Sequence, residues 1–282
     1  MAYVIEGRNG QDVYGEVLER VRRRGRRRQS RNGLTFEIED VTIVLDSPEN
    51  ALPIGTGRSV SRKVAAVEAL QLIGGFSDPT WAVKHAPGLK PYAEPNGEFY
   101  GAYGQRIGRQ LSEVHAKLRG FPLTRQAIIT LWDPAKDNEP NHMDYPCTIA
   151  IGFSLTGHAL DRLNMRVQMR SNDAWLGLPY DLFQFGQLQL TLANVLGVTP
   201  GRYTHSAWSL HLYEHDVPES YNVVESPPIA LGDAFRARQP IGFGCATDSI
   251  EQVQAIVRAI VAGSASVNPT DSERWYVDAL AE

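Results

Sequence analysis

The sequence predicts an α+β protein, a mixed β-sheet packed by helices in one domain over residues 1–282. Helical and strand-like segments both run along its length, no internal repeat is visible, and no Pro/Ser linker is long enough to divide it. Of its residues, 43% are hydrophobic, 21% charged and 9% aromatic, which is globular composition and excludes a disordered chain.

Residues 11–24 place Val13, Val17, Leu18 and Val21 on one stripe and predict a helix. Residues 34–45 are β-branched and partly alternating, so a strand follows. A second helix is predicted over 59–73, ended by Gly74 and Gly75, and a third over 104–118. Three strands come next, at 126–132, 147–155 and 163–170. A long buried helix with Pro179 at its start covers 178–197, a strand 202–215, and an amphipathic helix 249–263.

No long uncharged apolar run is present, nor a basic-then-apolar leader at Met1, so a chain neither membrane-spanning nor secreted is expected. Two cysteines, Cys147 and Cys245, cannot make a disulfide framework or a four-cysteine metal site. Free thiols in a cytoplasmic setting, and no metal, are the expectation. The net charge of −4 argues against general nucleic-acid binding. Seven arginines nevertheless fall between Arg22 and Arg31. They fit a solvated helix end, a nucleic-acid patch or a phosphate clamp, and the absence of interleaved aromatics weakens the second.

Few residues stand out as chemically able. Cys147 follows Pro146 and opens an apolar strand; a lone cysteine there is either a small buried thiol or a nucleophile. A nucleophile needs a nearby cation to favour its thiolate. Arg125 and Arg170 flank the neighbouring strands, but spacing alone brings neither to Cys147. Glu68 lies four residues after Val64 and a turn before Leu72, so it either tops the apolar stripe or is desolvated, which raises its pKa toward acid–base use. Asp181 falls in the first turn of its helix, where the dipole favours a carboxylate whatever its function. His211 and Tyr213 alternate with Leu210 and Leu212 and so share one strand face, toward a ligand or toward solvent.

Taken together, YPCTIAIGFSL around Cys147, QMRSNDAWLGLPYDLFQF at 168–185 and GRYTHSAWSLHLYEH at 201–215 resemble the thymidylate synthase superfamily in content, order and spacing. Weaker matches lie at 67–78, 97–108 and 125–134, so the resemblance covers about residues 11–216 and leaves 217–282 without a match. The resemblance implies that Cys147 adds to C6 of a pyrimidine, making C5 carbanion-like toward a one-carbon electrophile from 5,10-methylenetetrahydrofolate. It assigns proton transfers at the base to Glu68 and a place near the C5 proton to Tyr103. Phosphate binding falls to Arg170 and Ser171, to Arg125 from a neighbouring subunit, and to one of Arg27, Arg28 and Arg31. Asp173 matches the contact to the folate pterin, and His211 and Tyr213 the pair that binds the sugar hydroxyl. A homodimer joined through the sheet, with composite active sites, is implied.

Several positions depart from the synthase pattern. Thr148 stands where histidine is usual, Gln126 replaces the second arginine of a pair, and Gly152 replaces a glutamine. The decisive departure is Asp181, where the synthases carry asparagine. Uracil presents a donor at N3 and an acceptor at O4, which an amide satisfies. Cytosine reverses that edge, and a carboxylate accepts from its amine while a proton on the carboxyl or on N3 completes the second bond. A buried group with the wrong partner costs about 1–3 kcal/mol. The same exchange marks the cytidylate hydroxymethylases of this superfamily, so the chain looks like a CMP or dCMP 5-hydroxymethyltransferase. Reductive methylation of dUMP or dCMP is the alternative, and a non-catalytic nucleotide- or RNA-binding protein a third.

Overall fold

The computed structural model describes residues 3–54, 57–140, 142–225, 243, 247, 249–264 and 270–282, and Cys245 lies outside them. The strands are β1 (Tyr3–Gly7), β2 (Arg26–Ser30), β3 (Gly33–Leu45), β4 (Ile128–Thr130), β5 (Thr148–Thr156), β6 (Arg162–Met169), β7 (Asn172–Asp173) and β8 (Thr199–Tyr213). The helices are α1 (Gly10–Arg24), α2 (Arg62–Gly74), α3 (Pro79–His85), α4 (Tyr103–Ile107), α5 (Gln110–Gly120), α6 (Leu178–Leu196), α7 (Val217–Glu225), α8 (Ile250–Val261) and α9 (Asp271–Ala281).

All the strands join one sheet, in the order β1-β3-β8-β6-β5-β4, with β2 hung on β3 and β7 on β8. It is mixed, as predicted: β1 runs parallel to β3 and β6 to β8, while β3–β8 and β5–β6 are antiparallel. Along β8 the buried side chains change phase, from Tyr203, His205 and Ala207 to Leu210 and Leu212. The change falls opposite Asp40, a non-glycine residue at φ 57 that drops out of register with Trp208. His211 and Tyr213 therefore leave the sheet on the opposite side from Leu210 and Leu212.

Helices α1 and α6 pack on the sheet, and α2 packs on α6. The nineteen residues of α6 carry apolar side chains nearly all round, which fits a helix buried on every side. Its buried Gln189 donates from Nε2 to the carbonyls of Leu163 and Gly201, so the amine end of the amide keeps its hydrogen bonds. Ser61 caps α2 by accepting from the Val64 amide, and Gly75 ends it at φ 67.

The predicted strands and helices are present, with three differences. The helix expected over 104–118 is two, because Gly108 takes φ 41, which helical backbone does not allow. The strand expected over 126–132 is only Ile128–Thr130. Most instructive is the arginine run: Arg22, Arg23 and Arg24 end α1, whereas Arg26, Arg27 and Arg28 form β2 of a hairpin with β3. The helix-end reading holds for the first three alone. Among the described residues, no helix is long and apolar enough to cross a membrane.

Candidate active site

Cys147 immediately precedes β5, and β6 delivers Arg170 to it. Thr148 pairs with Met169, so the next residue of β6 falls beside Cys147, and the Arg170 amide donates to the Cys147 carbonyl at 2.8 Å. The guanidinium is steered by the carbonyls of Pro146 (3.0 Å) and Tyr145 (3.3 Å), which bring Nη2 to 3.8 Å from Sγ. A bulge between Thr148 and Ala150 interrupts the ladder here, and the freed Thr148 amide donates to the Tyr103 hydroxyl at 3.2 Å. Burial pushes the Cys147 thiol up to about 12, against the pull of Arg170, so the resting group is a thiol.

Four side chains, two carboxyls and two amides, interlock behind it. Gln184 Nε2 donates to Asp181 Oδ1 at 3.1 Å and to Glu68 Oε2 at 3.2 Å. Asn172 Nδ2 donates to Asp181 Oδ2 at 2.7 Å. Burial lifts Glu68 to about 8, assisted by the charge of Asp181, and lifts Asp181 to about 7 against its bonds from Asn172 and Gln184. Glu68 is thus the desolvated carboxyl of the two alternatives, and the Asp181 carboxyl is buried, well beyond what a dipole partner on a helix surface needs. Gly177 closes this corner: a Cβ there would stand 3.2 Å from Asn172 Nδ2 and 3.3 Å from Asp181 Oδ2.

A cleft of about 290 Å³ opens at the end of β8. Arg28, Arg31, Ser171, His211 and Tyr213 line it. The Arg28 guanidinium pairs with Glu37 (3.0 Å) and Glu39 (3.3 Å), and Arg31 donates to the carbonyls of His142 (3.3 Å) and Met143 (2.8 Å). Arg27 turns away to Glu214 at 2.7 Å. Ser171 Oγ lies 3.5 Å from His211 Nδ1, and the His211 and Tyr213 rings meet edge-on at 5.4 Å. Arg125 is exposed ahead of β4, at the far edge of the sheet, and is not among the residues lining this cleft. Asp173 Oδ1 accepts the amides of Trp175 (2.8 Å) and Leu176 (2.9 Å), which leaves the carboxylate further lone pairs.

Sequence reasoning missed Asn172, Gln184, His205 and Asp144. Asn172 and Gln184 lie inside the quoted 168–185 segment, but nothing in their spacing announces a shared partner. Asp144, three residues before Cys147, carries a carboxyl raised by burial despite the amide of Tyr145 and the charge of Arg170. The only signal was its closeness to Cys147 in the chain.

The family model described as thymidylate synthase matches residues 12–233, beyond the limit at 216 that the motifs suggested. The chain belongs to the thymidylate synthase family. Among curated relatives, it is 29% identical over 218 residues to a deoxyuridylate hydroxymethyltransferase of Pseudomonas phage M6, covering 75% of this chain and 62% of that protein. A deoxyuridylate hydroxymethyltransferase of Bacillus phage SP01 is 27% identical over 231 residues, covering 76% and 60%. A thymidylate synthase of Clostridium beijerinckii is 30% identical over 177 residues, covering 60% and 64%. The chain therefore spans about three fifths of the length of the two phage relatives. The two phage relatives are hydroxymethyltransferases, the branch that the resemblance implied, but their names carry deoxyuridylate and not cytidylate.

Proposed function

We propose that this chain is a pyrimidine nucleotide 5-hydroxymethyltransferase acting on CMP or dCMP, with 5,10-methylenetetrahydrofolate as co-substrate. The observation that carries the choice of base is Asp181, an acidic side chain buried beside Glu68 at the position where an amide would read uracil. The phage relatives support hydroxymethyl transfer as the reaction class.

In this reading Arg170 stabilises the thiolate of Cys147 as it forms, and Sγ bonds to C6 of the ring while the electron pair moves to C5. The folate supplies the one-carbon unit. Tyr103, held at the thiol by the Thr148 amide, lies near the C5 proton, and Glu68 relays protons at the base. Water then adds to the exocyclic methylene and Sγ leaves C6, so that nucleotide, methylenetetrahydrofolate and water give the hydroxymethyl nucleotide and tetrahydrofolate. Arg28, Arg31, Arg170 and Ser171 hold the phosphate, His211 and Tyr213 the 3′-hydroxyl, and Asp173 the pterin. The residues work as one domain over 1–282 in a homodimer that supplies Arg125 to the partner's site. Trp208, 55% exposed on the sheet face away from α6, is what a partner sheet would cover.

The second reading is the same reaction on dUMP, favoured by the names of the phage relatives. Incubation of the four nucleotides CMP, dCMP, UMP and dUMP with methylenetetrahydrofolate, read by product mass, separates them. The proposal expects a cytidylate heavier by CH2O without dihydrofolate. Product from dUMP alone supports the second reading, and a gain of CH2 with dihydrofolate release marks reductive methylation.

A further inference from the structure

A buried chain of side chains runs on from Asp181. Asn172 Oδ1 lies 2.8 Å from His205 Nε2, and His205 Nδ1 lies 2.9 Å from the Tyr203 hydroxyl. Asn172 is 2% exposed, His205 1% and Tyr203 0%, so no bulk water completes these bonds. We propose that Asn172 and His205, completed by Tyr203, are positioning residues that hold Asp181 as a carboxylate toward the base edge, and that they thereby make the site reject uracil.

The directions of the bonds carry the argument. The Asn172 amide donates from Nδ2 to Asp181, so its oxygen accepts from His205 Nε2–H. A neutral imidazole has a single N–H, and burial pushes His205 down to about 3, so it is neutral. Nδ1 is therefore an acceptor and takes the Tyr203 O–H. The opposite sense needs the amide turned round, the other imidazole tautomer and a proton on Asp181 Oδ2. Gln184 meanwhile donates to Oδ1, so both carboxyl oxygens face donors.

Charge at Asp181 decides the base. A protonated carboxyl offers one donor and one acceptor, which fit uracil as an amide does and fit cytosine as well. A carboxylate offers two acceptors, which fit only cytosine protonated at N3 and meet the O4 of uracil acceptor to acceptor. The relay is the device that keeps the second state in a buried place. The titratable groups facing Asp181 are Glu68 from α2, Tyr103 from α4, Cys147 ahead of β5, Asp173 from β7 and Tyr203 and His205 from β8. None is a cation, so hydrogen-bond donors alone oppose the cost of burying the charge.

This inference rests on Asp181 reading the base. The test measures dissociation constants of dCMP and dUMP across pH for the parent, His205→Phe and His205→Gln, together with the nitrogen-15 spectrum of His205 in the parent. The parent is expected to hold the Nε2–H tautomer and to lose discrimination as pH falls and Asp181 gains its proton. His205→Phe should lose about tenfold in preference at neutral pH, the size of one hydrogen bond. His205→Gln, whose amide can donate to Asn172 and accept from Tyr203, should retain it. An Nδ1–H tautomer overturns the relay even if the variants fail to fold, and so does a preference that ignores both pH and His205. A parent that prefers dUMP at every pH overturns instead the cytidylate reading, while the tautomer still reports on the relay.

Discussion

Arg170 Nη2 stands 3.8 Å from Cys147 Sγ, brought there by the register of two antiparallel strands. In the proposed function that contact is what favours the thiolate of an otherwise buried thiol. Because burial still holds the thiol up at about 12, alkylation of Cys147 by iodoacetamide should keep rising with pH past the ordinary thiol value of about 8.5. Arg170→Gln should slow it by about tenfold, the effect of one pKa unit. Mass spectrometry of the Cys147 peptide keeps the reading separate from Cys245. A plateau near the ordinary thiol pKa would show that burial does not govern this group.

Glu68→Gln should lower kcat by about 10²–10⁴-fold while leaving the nucleotide dissociation constant nearly unchanged, because the amide keeps the shape and loses the proton transfer. Stopped-flow binding and steady-state turnover measure the two separately.

The same substitution has a stability signature of definite sign. Unfolded, Glu68 titrates near its ordinary value of about 4.3; folded, it titrates at about 8. Between those values the folded chain holds a proton that the unfolded chain lacks. Its contribution is complete below the unfolded value and is lost as pH rises through the folded one. Glu68→Gln should therefore match the parent in acid and exceed it at about pH 9, by on the order of a few kcal/mol. Denaturant midpoints at both pH values give the answer.

Asp181→Asn should turn the preference from cytidylate toward uridylate. Each buried mismatch is worth about 1–3 kcal/mol, so kcat/KM for dCMP should fall by about tenfold to a hundredfold while that for dUMP rises. Competition between the two nucleotides in one vessel, read by product mass, measures the ratio directly.

Arg106 grips Asp137 with two bonds, at 2.7 and 2.8 Å, and donates to the carbonyls of Leu131 and Tyr100. This pair ties α4, which carries Tyr103, to the loop after β4. Asp137→Ala leaves the guanidinium without its partner and should cost about 3–5 kcal/mol. Thermal melting measures it, with turnover falling in parallel.

The order of elements was legible in the hydrophobic pattern, because α1 and α8 bury stripes that recur at helical spacing and α2 and α6 are apolar runs buried nearly all round. Where the arginine run changes from helix to strand was not, since Arg24 and Arg26 look alike and only pairing with Phe36 and Glu37 distinguishes β2. Motif resemblance named Cys147, Glu68, Tyr103 and Asp181 and put Arg170 next to the thiol, whereas spacing alone did not choose between Arg170 and Arg125; strand register supplies the physical reason. Asn172, His205 and Gln184 were illegible for a plainer reason. Their meaning lies in bonds across 33, 9 and 116 positions of sequence, and no local pattern encodes a partner so distant.

A covalent trap tests the whole account most directly. Fluorine at C5 cannot be lost as the proton is, so a 5-fluorocytidylate offered with methylenetetrahydrofolate should remain bonded to the enzyme. The account predicts that intact mass and peptide mapping find nucleotide and folate together on Cys147, with the 5-fluorouridylate adduct forming far more slowly. An adduct on another residue, none at all, or one from 5-fluorouridylate alone would contradict it.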